Sequence, residues 1–270
     1  MNSVTVGGRT FTFYDAGKGP AIVFLHSFGH NKLMWLPQLD ALTSQGYRVL
    51  AADFEGHGGT YFDPHGYSID RLADDTIQLL SHLGVSSAVF AGISMGGYVA
   101  LKIWKKQPSL FRGLILSNTK AEPDTPEIME RRDRQIDFIK KHGTSAFVNE
   151  YAPKRLSPLT ISSKPWVLDF ISYLNRSIPS DVLIATLWAM KERTDDTPLL
   201  DHITVPTLII VGGDDRHIPV NASQTLSSRI KKSTLVTLDG TSHVSNLEDP
   251  DRYNSHILNY LKALDTKESF

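Results

Sequence analysis

Three stretches of this sequence place reactive side chains where a chain would need a reason to put them. The first, "AGISMGGYVA" (residues 91–100), sets one serine, Ser94, among three glycines. The second, "IIVGGDDRHIP" (209–219), carries two adjacent aspartates, Asp214 and Asp215. The third, "LDGTSHVSNLEDP" (238–250), contains His243. A hydroxyl is a poor nucleophile unless a base removes its proton, and an imidazole base works best when a carboxylate fixes its tautomer. Serine, aspartate and histidine in that chain order are the parts of an acyl-transfer site. "GISMG" fits G-x-S-x-G at Gly92, Ser94 and Gly96. It stands between an apolar run and a segment of helical spacing, so a strand swings into a helix at the serine. That turn lifts the hydroxyl off the carboxyl edge of a sheet, and glycines two before and two after it leave room for the backbone. The helix beginning at Met95 points its free N–H groups and positive dipole end at the same place. The bland alternative, Ser94 as a simple helix cap, does not account for the context on both sides. Of ten histidines, His243 follows the last strand-like run and precedes the closing helix. The residues leave open which of Asp214 and Asp215 serves it.

The elements that would position these groups alternate. "VTV", Gly7-Gly8 and "RTFTFYD" read as a hairpin. "AIVFLH", "YRVLAAD", "SAVFAGI", "RGLILSN", "PTLIIVGG" and "STLVTLD" are short, apolar and rich in β-branched residues, as strands covered on both faces are. Ile69, Leu72, Ala73, Thr76, Leu79, Leu80 and Leu83 form one face of a helix, and 252–264 reads as a closing helix. Strands alternating with helices imply a mostly parallel sheet with helices on both faces. The rhythm stops at 119–200, which is charged, helical in spacing and punctuated by prolines. We expect a helical lid there, with 1–118 and 201–270 forming the core domain. The run from Glu130 to Arg134 reads as a solvated helix face.

Composition narrows the function classes. The 270 residues are 41% hydrophobic and 21% charged with a formal net charge of −1, which argues against nucleic acid or an anionic membrane as partner. With no cysteines, disulfides and thiolate metal sites are excluded. The N-terminus lacks a signal pattern, and no apolar run approaches the roughly 18 residues that span a bilayer. A soluble, cytoplasmic protein is the expectation.

Taken together, "FLHSFGHNKLMW" (24–35), "DFEGHGGT" (53–60), "GISMGGYVAL" (92–101) and "VPTLIIVGGDDRHIP" followed by "GTSHVSNLEDP" resemble the α/β-hydrolase superfamily over essentially the whole chain. Within it the chain is most similar to the group of small esterases and 3-oxoadipate enol-lactonases. "ERRDRQIDFIKKHG" and "WAMKERTDDTPLLDHITVPTL" are similar to that group too. The resemblance implies an α/β-hydrolase fold and a serine carboxylesterase with Ser94, Asp215 and His243 as its triad. It selects Asp215 because the family spaces its acid three residues after a glycine and four before a proline, as Gly212, Asp215 and Pro219 do. It also implies an oxyanion hole from the N–H groups of Phe28 and Met95, with Ser27 where the family usually has glycine. His26 and His30 have a spacing that could suit a metal, yet no third ligand accompanies them. Asp53, Gly56, His57 and Gly58 read as a structural turn. No metal or organic cofactor is implied. A serine nucleophile argues against dehalogenase chemistry, which uses aspartate on this scaffold. Trp35, Trp166, Trp188 and Met190 are the apolar candidates for a substrate pocket. No arginine stands out as a carboxylate clamp, so a carboxylesterase of small or medium acyl chains is preferred. A lactonase or a triad-bearing small-molecule receptor is the alternative.

Overall fold

The computed structural model describes residues 2–218 and 220–268; Pro219, used above for its spacing, lies outside them. Strands β1 (Asn2–Val6), β2 (Arg9–Ala16), β3 (Ala21–Leu25), β4 (Arg48–Ala52), β5 (Ala88–Ile93), β6 (Phe111–Ser117), β7 (Thr207–Gly212) and β8 (Ser233–Leu238) form one sheet in the order β1-β2-β4-β3-β5-β6-β7-β8. The hairpin turns at Gly7 and Gly8, both at positive φ, and joins the sheet through β2 antiparallel to β4. All other pairings are parallel. β3, β5 and β7 are buried at every position. That is why they are written as unbroken apolar runs rather than as alternating ones.

The helices are α1 (Leu36–Thr43), α2 (Ile69–His82), α3 (Met95–Lys106), α4 (Pro126–Tyr151), α5 (Pro158–Ser163), α6 (Pro165–Arg176), α7 (Ser180–Lys191), α8 (Val220–Arg229), α9 (Ser245–Glu248) and α10 (Pro250–Glu268). α1 carries the chain from β3 to β4 in one direction across the sheet, and α3 carries it from β5 to β6 in the other. Right-handed crossovers therefore put the two on opposite faces. α2 packs with α3, and α10 packs with α1. The predicted face of α2 is buried from Ile69 to Leu80, while Leu83, just past the helix, is half-buried.

β3 lies between β4 and β5. The connections reverse direction there, and the carboxyl ends of β3 and β5 open side by side onto a crevice, where sheets of this type place their ligands. Residues 119–200 hold α4 to α7 and short 3-10 turns but no strand. α4 breaks at Gly143, whose φ of 78° and ψ of 174° are non-helical. None of the described helices is long and apolar enough to cross a membrane.

Candidate active site

Ser94 occupies a backbone conformation that an L-residue enters only under constraint, with φ 54° and ψ −115°. The constraint is close packing of backbone on backbone. A Cβ at Gly92 would sit 2.4 Å from the Gly96 carbonyl oxygen, and one at Gly96 would sit 2.0 Å from that of Leu25. No other residue fits at either position. The turn is held by Ser94 N–H donating to the Ser117 carbonyl at 2.9 Å and by Thr119 Oγ1 donating to the Ser94 carbonyl at 2.7 Å.

His243 reaches this serine from the loop after β8. Its Nε2 is 2.9 Å from Ser94 Oγ and its Nδ1 is 2.8 Å from Asp215 Oδ2. A carboxylate can only accept, so Nδ1 carries the proton and Nε2 faces the hydroxyl as an acceptor. The His243 main chain is pinned by its N–H donating to the Arg155 carbonyl at 3.1 Å. Asp214 points elsewhere: it is exposed, and its N–H donates to the Thr241 carbonyl.

Burial and neighbouring charges act differently on Asp215 and His243. Burial pushes the Asp215 carboxyl up. The His243 charge and hydrogen bonds from His243, Asn118 and the His217 N–H outweigh that and hold it far below the usual carboxylate range. Burial lowers the His243 imidazole, and the Arg155 guanidinium lowers it further; Asp215 opposes both and the net shift is downward. The imidazole is thus neutral at neutral pH and able to accept a proton.

Phe28 follows β3 and Met95 opens α3. No hydrogen bond among the described residues engages the Phe28 N–H. The Met95 N–H has no acceptor within its helix, by its position in the first turn. His26, His30 and His57 each turn Nδ1 onto a nearby main-chain carbonyl (Ser27, Phe28 and Glu55) at 2.9–3.0 Å. His26 Nε2 is occupied as well, accepting from the Phe54 N–H at 2.9 Å, and the described residues contain no group of three His, Cys, Asp or Glu side chains suited to a metal. Asp53 accepts from the Lys32 N–H, from Lys32 Nζ and from Thr12 Oγ1, which makes its turn a packing feature.

A cavity of about 400 Å³ opens beside Ser94 and His243. Phe28, Tyr98, Phe138, Phe147, Tyr151 and Met190 supply its apolar wall. Of the four apolar residues named as pocket candidates, only Met190 lines it. Trp35, in the 3-10 turn of Lys32–Trp35 that follows β3, is fully buried with its ring 4.5 Å from that of Phe24 in the core. Trp166 and Trp188 are 53% and 42% exposed and face outward from α6 and α7. The charge run of 130–134 is not simply a solvated face either, since Arg131, Arg132 and Arg134 reach the cavity.

Two residues of the site escaped the sequence reading. Asn118, at φ 46° just after β6, donates from Nδ2 to Asp215 Oδ2 at 2.9 Å and to the Ser242 carbonyl at 3.0 Å. A lone asparagine after a strand carries no signal of this kind. Arg155, in the 3-10 turn of Ala152–Arg155, lines the cavity although it is only 5% exposed. Arginine in a charged helical stretch reads as solvated until its neighbours are known.

The chain is 31% identical over 246 residues to 3-oxoadipate enol-lactonase 2 of Acinetobacter baylyi, an alignment covering 91% of this chain and 90% of that one. Its fold superposes on a thermophilic esterase of Thermogutta terrifontis with a TM-score of 0.91, 30% identity and 97% of each chain covered. The enol-lactonase of Burkholderia xenovorans LB400 gives a TM-score of 0.89 at 26% identity, with 97% of this chain and 100% of that one covered. The alpha/beta hydrolase family model matches residues 22–256. That span includes both carboxyl-edge turns, the acid loop and the histidine loop, and the chain is accordingly a hydrolase belonging to the alpha/beta hydrolase family.

Proposed function

We propose that the protein hydrolyses carboxylic esters through an acyl-enzyme on Ser94. The observation that carries this reading is the line of contacts from Asp215 Oδ2 through His243 to Ser94 Oγ, at 2.8 and 2.9 Å, at the mouth of a cavity. Ser94 Oγ bonds to the substrate carbonyl carbon while His243 Nε2 takes its proton. The carbonyl electron pair moves onto oxygen, which the Phe28 and Met95 N–H groups receive. Collapse breaks the C–O bond, and His243 returns the proton to the departing alkoxide. Water, deprotonated by His243, then attacks the acyl carbon, and Ser94 leaves with the proton. Asp215 holds the imidazole in the required tautomer and balances its charge during each transfer.

Residues 119–200 act as a lid in this reading: α4 and α7 contribute Phe138, Phe147, Tyr151 and Met190 to the cavity wall. A lactone is cleaved by the same steps, its alkoxide staying tethered to the acyl group. The enol-lactonase relatives support that variant of the reaction, and the esterase neighbour supports open-chain esters.

The test is turnover of graded p-nitrophenyl esters and of five-membered lactones by wild type and by Ser94→Ala. A fluorophosphonate should add its mass to wild type and leave Ser94→Ala unlabelled. Labelling of the variant at an undiminished rate refutes Ser94 as nucleophile. A single covalent turnover followed by silence points to a receptor rather than an enzyme.

A further inference from the structure

His243 is only as well placed as the main chain that carries it, and that main chain is gripped by residues 154–164. The His217 Nε2, beside the acid, meets the Lys154 carbonyl at 2.8 Å. The His243 N–H donates to the Arg155 carbonyl at 3.1 Å, and Ser157 Oγ donates to the Gly240 carbonyl at 2.7 Å. The remaining contacts converge on one side chain. Glu248 Oε1 accepts from the Ser242 N–H, and Glu248 Oε2 accepts from the Ser157 N–H and from Thr160 Oγ1, each at 2.8 Å. Lys164 Nζ donates at 2.7 Å to the main-chain carbonyl of Glu248, not to its carboxylate.

Glu248 is 1% exposed and forms no ion pair among the described residues. Burial pushes its carboxyl up, against the hydrogen bonds that draw it down. A buried charge without a counter-ion is costly, and a glutamine of the same shape would avoid that cost. What glutamine lacks is a second accepting oxygen. The Ser242 N–H, in the loop that carries His243, and the Ser157 N–H, just ahead of α5, have no other acceptor among the described residues. Only a carboxylate takes both, and it joins the two segments in doing so. The consequence lies one residue along. The Ser242 N–H is held by Glu248 and the Ser242 carbonyl accepts from Asn118 Nδ2 at 3.0 Å, so the main chain is fixed on both sides of Ser242, immediately before His243. From there the imidazole reaches Ser94 Oγ at 2.9 Å. Neither Glu248 nor Thr160 lines the cavity, so this grip acts on the base and not on the substrate.

We propose that Glu248 is a positioning residue for the reaction: it clamps the loop that carries His243 to the turn ahead of α5, and thereby sets the rate of proton transfer from Ser94 rather than the affinity for substrate. The proposal rests on the reading of Ser94, His243 and Asp215 given above and adds to it a residue that acts through His243.

The test is Glu248→Gln, which keeps the shape and removes one acceptor. On p-nitrophenyl butyrate, kcat should fall by about ten- to a hundredfold, the scale of a small misplacement of a reacting group, while KM stays within about twofold. Labelling of Ser94 by an uncharged fluorophosphonate should slow by a similar factor. The far-downfield proton resonance of His243 Nδ1, which reports its bond to Asp215, should move or vanish at a temperature where the variant is fully folded. A loss of stability alone moves none of these. Thr160→Val removes one donor to the same carboxylate and should lower kcat by roughly threefold with acyl-chain preference unchanged. An unchanged kcat and labelling rate in folded Glu248→Gln overturn the proposal, whatever its melting temperature. A change confined to KM or to acyl-chain preference overturns it too, because that marks a residue shaping the cavity. If Glu248→Gln does not fold, Thr160→Val decides, and an unchanged kcat there overturns the clamp. Labelling and turnover of wild type uphold Ser94 in each of these cases, whereas absence of labelling of wild type removes the site reading beneath the proposal.

Discussion

Asn118 Nδ2 donates to Asp215 Oδ2 across 2.9 Å, and that same oxygen accepts from His243 Nδ1 at 2.8 Å. Asn118 Oδ1 is in turn held by Ser245 Oγ at 2.7 Å. The amide therefore cannot flip without losing both bonds, and it holds the carboxylate that holds the His243 imidazole. The positive φ of Asn118 is one that asparagine tolerates better than most residues. Asn118→Gly keeps that backbone and removes the bond. It should lower kcat on a simple ester by roughly tenfold with little change in KM, the scale of one hydrogen bond to a charged group. Steady-state kinetics with a melting curve check this; an unchanged kcat would leave Asn118 as a purely structural residue.

The two neighbouring acids should differ sharply. Asp215→Asn lets His243 adopt the wrong tautomer, a change worth about 10⁴ in kcat in a serine protease, and a loss of several decades is expected at neutral pH. Asp214, exposed on the turn, should tolerate Asn with kcat within about tenfold of wild type. Both variants assayed on one ester, with circular dichroism to confirm folding, settle the assignment. The reverse ranking contradicts it.

The acid limb of the pH profile should lie below the ordinary histidine value. His243 must be neutral to act as base, and burial and Arg155 both lower its pKa against the opposing pull of Asp215. Activity should therefore be retained at pH 7 and fall on the acid side of 6.5, the usual imidazole value. His217, whose ring lies 5.2 Å from that of His243, is itself lowered to about 2 and stays neutral across this range. Arg155→Gln removes a positive neighbour, so the limb should move up in pH. Measurement of kcat/KM against pH for wild type and variant tests the sign; a downward shift would contradict it.

The tryptophans should separate core from surface and cavity from both. Trp35→Ala opens a hole against Phe24 and should cost about 3–5 kcal/mol of stability, seen as a large fall in the denaturant midpoint. Trp166→Ala and Trp188→Ala, both on the outer surface, should leave acyl-chain preference as it is. Met190→Ala enlarges the cavity wall and should shift preference toward longer acyl chains. If Trp188→Ala changes the ratio of kcat/KM between short and long esters and Met190→Ala does not, the acyl chain meets Trp188 rather than Met190.

Local sequence determined much of this protein by itself. Continuous apolar runs announce strands covered on both faces, the Gly7-Gly8 pair announces the hairpin, and the glycines around Ser94 announce a strained strand-to-helix turn, because each demand falls on residues adjacent in the chain. Tertiary structure decided the rest. Asp214 and Asp215 are chemically identical, and which one meets His243 depends on how a turn after β7 faces a loop 28 residues further on. Trp35, Trp188 and Met190 are equally apolar in sequence, and only packing sends them to the core, the surface and the cavity. Arg155 lies 128 residues from Ser27 and is written in a charged stretch like its solvated neighbours. Its burial follows from the way the end of α4 folds over the carboxyl edge of β3. Burial and contact are properties of residues far apart in the chain, and spacing along the chain does not encode them.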